Sequence, residues 1–153
     1  MKSYFYYESP IETLTLTSEG ENLIGLDFGK VQKEGKEEKT KVIQDAIDQL
    51  EEYFQGKRKH FDLPLKFYGT EFQKKCWNAL ITIPYGETRS YKDMSEIVNC
   101  PKGYRAVGLA NNKNPIAIIA PCHRVIGSDG KLVGFGGGLD KKEFLLNLEK
   151  KNK

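Results

Sequence analysis

Cysteine and histidine are scarce in this chain of 153 residues. The three cysteines, Cys76, Cys100 and Cys122, are an odd number set far apart without CxxC spacing. That argues against a disulfide framework and against a Cys/His zinc site, so no metal is expected. Of the two histidines, His60 stands in a charged stretch and His123 follows Cys122 directly. If the chain does cysteine chemistry, His123 is the base. No apolar run approaches the roughly 20 residues a membrane helix needs. Met1-Lys2-Ser3-Tyr4-Phe5 lacks the apolar stretch of a secretion signal, so a cytoplasmic location is expected. The glycine run Gly134-Phe135-Gly136-Gly137-Gly138 follows neither GxGxxG nor Walker spacing, which speaks against a phosphate cradle. Its other use is a backbone free to close over a ligand. No cofactor is expected, and the chain has no internal repeat.

What is present is ordinary core material: 39% hydrophobic residues, with 8 Phe, 8 Tyr and 1 Trp. This suits one compact unit or two small ones. The net charge of +3 is unevenly spread, with −4 over residues 1–64 and +7 over residues 65–153. A polyanionic partner would therefore meet the second part.

The opening reads as three strands, Tyr4–Tyr7, Thr13–Thr17 and Leu23–Phe28, with turns at Ser9-Pro10 and Glu19–Asn22. They predict an antiparallel meander with one buried face, followed by a polar loop over 29–41. Val42, Ile43, Ala46, Ile47, Leu50, Tyr53 and Phe54 recur at helical spacing, and Gly56 ends that helix. Residues 57–69 read as a link. Thr70 with Gln73 makes a capping box for a helix through Ile81, with Cys76 on its core face. Ser90 with Asp93 caps a short helix with Met94, Ile97 and Val98 inward. After the break at Asn99–Gly103 another runs from Tyr104 to Asn111, with Val107 and Ala110 inward. Asp140 with Glu143 opens a last helix, with Phe144, Leu145 and Leu148 inward.

Two short helices joined by a turn have the proportions of a helix-turn-helix unit. Ordinary helical packing uses the same turn, but two details favour nucleic acid. Arg105 lies at the start of the second helix, and Ala106, Gly108 and Ala110 leave that helix slim. Gly108 costs about 1 kcal/mol of helix propensity relative to Ala, which close approach explains better than stability does.

The apolar run Ile116–Ala120 reads as a buried strand leading into Pro121-Cys122-His123-Arg124-Val125. Adjacent strand residues point to opposite faces, so Cys122 and His123 cooperate only if the chain bends there. The pentapeptide alone does not separate a reactive thiol from a small buried cysteine.

Taken with Ser90-Tyr91, Arg105-Ala106-Val107-Gly108, Asn114-Pro115 and the segment from Gly137-Gly138-Leu139 to Glu149, that pentapeptide resembles the O6-alkylguanine-DNA alkyltransferases. The resemblance is close over about residues 70–150 and looser over the opening strands. It implies an α+β fold with two domains. Residues 1–66 would form a ribonuclease H-like domain with a small antiparallel sheet and a helix. Residues 67–153 would form a mostly helical winged-helix domain with the helix-turn-helix. It implies a monomer acting on double-stranded DNA that contains O6-alkylguanine, with O4-alkylthymine left open as a further substrate. Cys122 would take the alkyl group irreversibly from a flipped-out base, one event per molecule. His123 would deprotonate it, Glu149 would orient His123, Asn114 would be the hinge, and Tyr91 would assist departure of the guanine. Arg105 would fill the gap left by the extruded nucleotide, with Ser90, Tyr91, Ala106, Gly108 and Arg124 as further DNA contacts. Val125, Gly134, Phe135, Gly136 and Met94 would line the alkylguanine pocket.

The chain departs from the family's pattern in three places, one being that no zinc-ligand cluster stands near its N-terminus, so the structural metal of some members is not expected. Phe135 stands where some members carry tyrosine, and Glu12 replaces a glycine common after Pro-Ile. Three other readings are a non-catalytic sensor of alkylated DNA, a Cys-His hydrolase and a plain winged-helix module. The sensor would lack the cysteine, and a hydrolase would need an oxyanion hole for which nothing further argues.

Overall fold

The computed structural model describes residues 1–153 apart from Lys131, Val133, Gly134 and Gly136. The chain divides into two compact units: residues 1–68 with 115–117, and residues 69–114 with 118–153.

In the first unit β1 (Lys2–Glu8), β2 (Thr13–Glu19) and β3 (Asn22–Phe28) form the expected antiparallel meander. The polar stretch after it is not all loop. Lys36–Glu37 forms β4, parallel to β1, giving the order β3-β2-β1-β4. Nor is only one face of the meander covered. Leu14 and Leu16 lie on one side of β2 and are fully buried, yet Thr15 and Thr17 on the other side are buried too. Thr15 Oγ1 makes this tolerable by donating to the Gly29 carbonyl (2.7 Å) and accepting from the Val31 amide (3.0 Å).

α1 (Lys41–Phe54) packs on the three long strands through Val42, Ile43, Ala46, Ile47, Leu50 and Tyr53. Burying each of Val42, Ile43, Ile47 and Leu50 contributes about 1.5–3 kcal/mol. Gly56, at φ 77°, sits just past its end. The supposed link also pairs with the sheet: the Leu23 amide donates to Pro64 O (2.8 Å) and the Lys66 amide to Leu23 O (3.1 Å). Ile116 bridges Leu26 in the same unit.

The second unit opens with α2 (Glu71–Ile81), whose capping box is complete in both directions. α3 (Tyr91–Ile97) has the same device in Ser90 and Asp93. α4 (Tyr104–Asn112) packs against α2 and α3, and the buried Trp77 indole donates to Ala110 O at 2.8 Å. Met94, Val98, Val107 and Ala110 are buried as expected, whereas Ile97 is 48% exposed. Ala110 therefore belongs to the packed side of α4, not to its slim outward face.

α5 (Leu139–Asn152) starts one residue earlier than its sequence pattern suggests. Its N-cap is Gly138 at φ 103°, without a side-chain cap, so Asp140 and Glu143 make no capping box. Phe144 is exposed and Leu148 half-buried; the buried residues are Lys142, Leu145 and Glu149. These fall at i, i+3 and i+7, one face of a helix. Two of the three are charged, which removes them from any search for an apolar stripe. Among the described residues no helix is long and apolar enough to cross a membrane.

Candidate active site

The segment 116–120 is buried throughout but is not a strand. After the Ile116 bridge the chain turns, and Ile118 adopts φ 69°. A β-branched residue in the left-handed region is an outlier, and such strain persists only where surrounding packing over-determines it. Here the Asn114 side chain closes the turn by donating to Ala120 O at 2.7 Å.

The turn delivers Pro121 and then a single 3-10 turn, Cys122–Arg124. That turn is the bend that lets consecutive residues serve one site. Val125 and Ile126 follow as β6, parallel to β5 (Arg89–Ser90). The pairing of Ser90 with Ile126 places Tyr91, the first residue of α3, beside the cysteine turn.

Glu149 is the hub. Its Oε1 accepts from Arg124 Nε (2.8 Å) and from the Gly86 amide (3.2 Å). Its Oε2 bonds His123 Nε2 (2.6 Å) and accepts from Arg124 Nη2 (3.0 Å). Arg124 Nη1 donates to Ile83 O at 2.7 Å, and the Tyr85 ring lies 5.7 Å from the guanidinium. Burial opposes the charge on Glu149, but the bonds and charges of His123 and Arg124 outweigh it and hold the carboxyl well below its usual range. Burial pushes the His123 pKa down against the pull of Glu149. The pair is therefore a carboxylate and a neutral imidazole. A carboxylate at Nε2 requires the proton on Nε2, which leaves Nδ1 as the basic lone pair. Nδ1 is buried with no hydrogen-bond partner among the described residues.

Cys122 is only 8% exposed. Burial raises its thiol pKa, while the Asn114 side chain and then the Lys142 charge act in the opposite direction. The resting group is a thiol, so its use as a nucleophile calls for a base. Lys142 is fully buried and donates to Val125 O at 2.5 Å, with its ammonium 5.9 Å from the Tyr91 ring centroid. Burial lowers its pKa to about 8. Burial, then the neighbouring Cys122, raises that of Tyr91.

Cys122, His123, Glu149, Asn114 and Tyr91 are thus brought together, with Lys142 as a member that sequence reading missed. Arg124 has a different place from the one expected. It is buried, and its guanidinium is engaged by Glu149 and Ile83, so it is not a surface DNA contact. The Val125 amide donates to Cys122 O and its carbonyl accepts from Lys142. Met94 is buried and Phe135 half-buried; Gly134 and Gly136 lie outside the described residues. The Ser90 hydroxyl accepts from the Asp93 amide as a helix cap. Arg105 and Ala106 are exposed on α4 and Gly108 is half-exposed. A Cβ on Gly108 would meet only Tyr91 Cε1, at 3.8 Å, an ordinary contact. The protein's own packing does not demand glycine there.

A buried thiol followed by a histidine tied to a carboxylate thus shares one unit with a helix-turn-helix, the arrangement of a DNA-binding scaffold that carries a cysteine with a base beside it. Two family models cover nearly the whole chain: the ribonuclease-like domain of 6-O-methylguanine DNA methyltransferase over residues 2–67 and its DNA binding domain over residues 71–151. The chain belongs to the 6-O-methylguanine DNA methyltransferase family. It is 54% identical to a methylated-DNA–protein-cysteine methyltransferase of Methanosarcina barkeri, over 97% of this chain and 98% of that protein. It is 47% identical to one of Mycolicibacterium paratuberculosis, over 99% and 94%. The crystal structure of Mycobacterium tuberculosis OGT in complex with DNA superposes with a TM-score of 0.92 at 47% identity, covering 98% of this chain and 94% of that one.

Proposed function

We propose that this protein repairs DNA by transferring the alkyl group of O6-alkylguanine to its own Cys122. The observation that carries the reading is the buried Cys122-His123 pair with Glu149 fixing the imidazole tautomer. The Cys122 sulfur forms a bond to the alkyl carbon as that carbon's bond to O6 breaks. The thiol proton passes to His123 Nδ1, and the guanine leaves with the electron pair of the broken bond. The thioether is stable, so each molecule acts once. DNA repair, DNA binding and methyl transfer fit both family models and the relatives' names.

The division of labour follows residues 1–66 and 67–153. Asn114 bonds the thiol and closes the strained turn, serving as the hinge of the site. Tyr91, beside Cys122, donates to the departing guanine. Arg105 fills the space of the extruded nucleotide, with Ser90, Ala106 and Gly108 along the duplex, while Val125, Met94 and Phe135 line the base pocket. The protein works as a cytoplasmic monomer on double-stranded DNA. The retained thiol favours transfer over a non-catalytic sensor.

The test is intact mass after incubation with a duplex carrying one O6-methylguanine, followed by peptide mapping. One methyl on Cys122, saturating at one per protein, is the expected result. Cys122→Ser should bind the duplex and gain no mass. Tight binding by the wild-type chain with no mass change would replace this reading with the sensor.

A further inference from the structure

Residues of α4 divide cleanly between two sides. Val107, Ala110 and Asn111 are buried, and Arg105, Leu109 and Asn112 point away from the core. Among the described residues Leu109 is the most exposed large apolar side chain after Met1, at 59%. A single exposed leucine is ordinary on a protein surface; the position of this one is informative. It stands one turn after Arg105, where side chains at i and i+4 are neighbours about 5–6 Å apart at Cβ. Its other neighbour one turn back is Ala106, whose side chain is a single methyl. Exposed lysines bracket the helix, Lys102 before it and Lys113 after it. The surface that Leu109 crowns thus carries positive charge at both ends, complementary to a phosphate backbone. Ala106, Gly108 and Leu109 also supply no donors or acceptors for base edges. Such a face suits contact that ignores sequence, as repair at any position requires.

We propose that Leu109 is an apolar wedge that enters the duplex beside Arg105 and unstacks the base step next to the flipped nucleotide. This rests on the function proposed above. Apolar side chains inserted between base steps unstack them and kink the duplex. Arg105 and Leu109 then divide the work: the guanidinium occupies the vacated position, and the leucine holds the neighbouring step open. Flipping costs a few kcal/mol of unstacking, least where the pair is already weak. The wedge therefore matters most for a well-paired lesion.

The experiment places 2-aminopurine next to O6-methylguanine in a duplex and follows fluorescence, affinity and single-turnover transfer for the wild type, Leu109→Ala and Leu109→Met. Wild type should raise the fluorescence on binding. Leu109→Ala should abolish the rise and weaken binding about tenfold, the low end for returning a leucine side chain to water. Leu109→Met should restore both. Transfer from free O6-methylguanine should be unchanged in Leu109→Ala, and its deficit on duplex should shrink when the lesion faces an abasic site. Fluorescence and affinity equal to wild type in Leu109→Ala overturn the wedge. Failure of the wild type to transfer from any substrate overturns the proposed function instead, and the fluorescence arm still decides the wedge.

Discussion

Glu149→Gln is the substitution that most directly tests how the site is held together. The carboxylate sits among four donors, two facing each oxygen: Arg124 Nε and the Gly86 amide on one side, His123 Nε2 and Arg124 Nη2 on the other. An amide has only one acceptor oxygen, so either orientation sets its NH2 group against two donors. No flip resolves this. The change also leaves the buried guanidinium of Arg124 without a counter-charge. Breaking a buried pair from one side costs about 3–5 kcal/mol. At about 2–4 °C per kcal/mol for a chain of this size, Tm should fall by roughly 10 °C. Transfer should slow by about 10²-fold, because the imidazole loses the group that fixes its tautomer. Thermal melts by circular dichroism and single-turnover transfer on duplex read the two effects. The double variant Arg124→Met/Glu149→Leu separates them: apolar replacement of the pair should recover much of the stability and none of the transfer. A Glu149→Gln protein with wild-type Tm and wild-type rate would refute the hub.

Three further outcomes follow from the same geometry. Arg124→Met should destabilise the fold yet leave the salt dependence of DNA binding unchanged, whereas loss of a phosphate contact would lower the log–log slope by about 0.9. Gly108→Ala should move stability and binding in opposite directions. The added methyl has room against Tyr91 and gains about 1 kcal/mol of helix propensity, while it would obstruct the face proposed to meet DNA. Equal affinity in filter binding would contradict that. Stability should also decline as pH drops below about 6.5, the ordinary histidine value. His123 has its pKa lowered by burial, so the unfolded chain takes up a proton that the folded one refuses. Glu149, held ionised, extends the decline below about pH 4.3. In both windows the unfolded state binds more protons, so stability falls with pH. A urea midpoint constant from pH 8 to 5 would count against a buried neutral histidine.

The elements that sequence made legible are those whose signals are local. The capping boxes at Thr70/Gln73 and Ser90/Asp93, the apolar spacing of α1 and the alternation of β1–β3 each state their structure within a few residues. The site was legible only as a set of residue types, because its members are brought together by contacts far apart in the chain. The resemblance places Arg124 among the DNA contacts, and an arginine beside a cysteine carries no sign of a buried partner 25 residues on. Lys142 escaped notice for a related reason. Apolar periodicity steers attention to Phe144 and Leu148, while the face α5 buries is Lys142, Leu145 and Glu149. A reading that asks which charged residues share one helical face with Glu149 would have found it. Ile118 shows the opposite failure: five apolar residues in a row resemble a strand, and only the Asn114 bond to Ala120 reveals a turn.

Glu149 enters the chain 26 residues after His123. During synthesis the thiol and its imidazole therefore exist before the carboxylate that holds the imidazole. A chain interrupted anywhere short of α5 holds the same Cys122 with no hub to order its base. The imidazole beside Cys122 is thus ordered only when the last helix docks, so α5 is the element whose arrival completes the site.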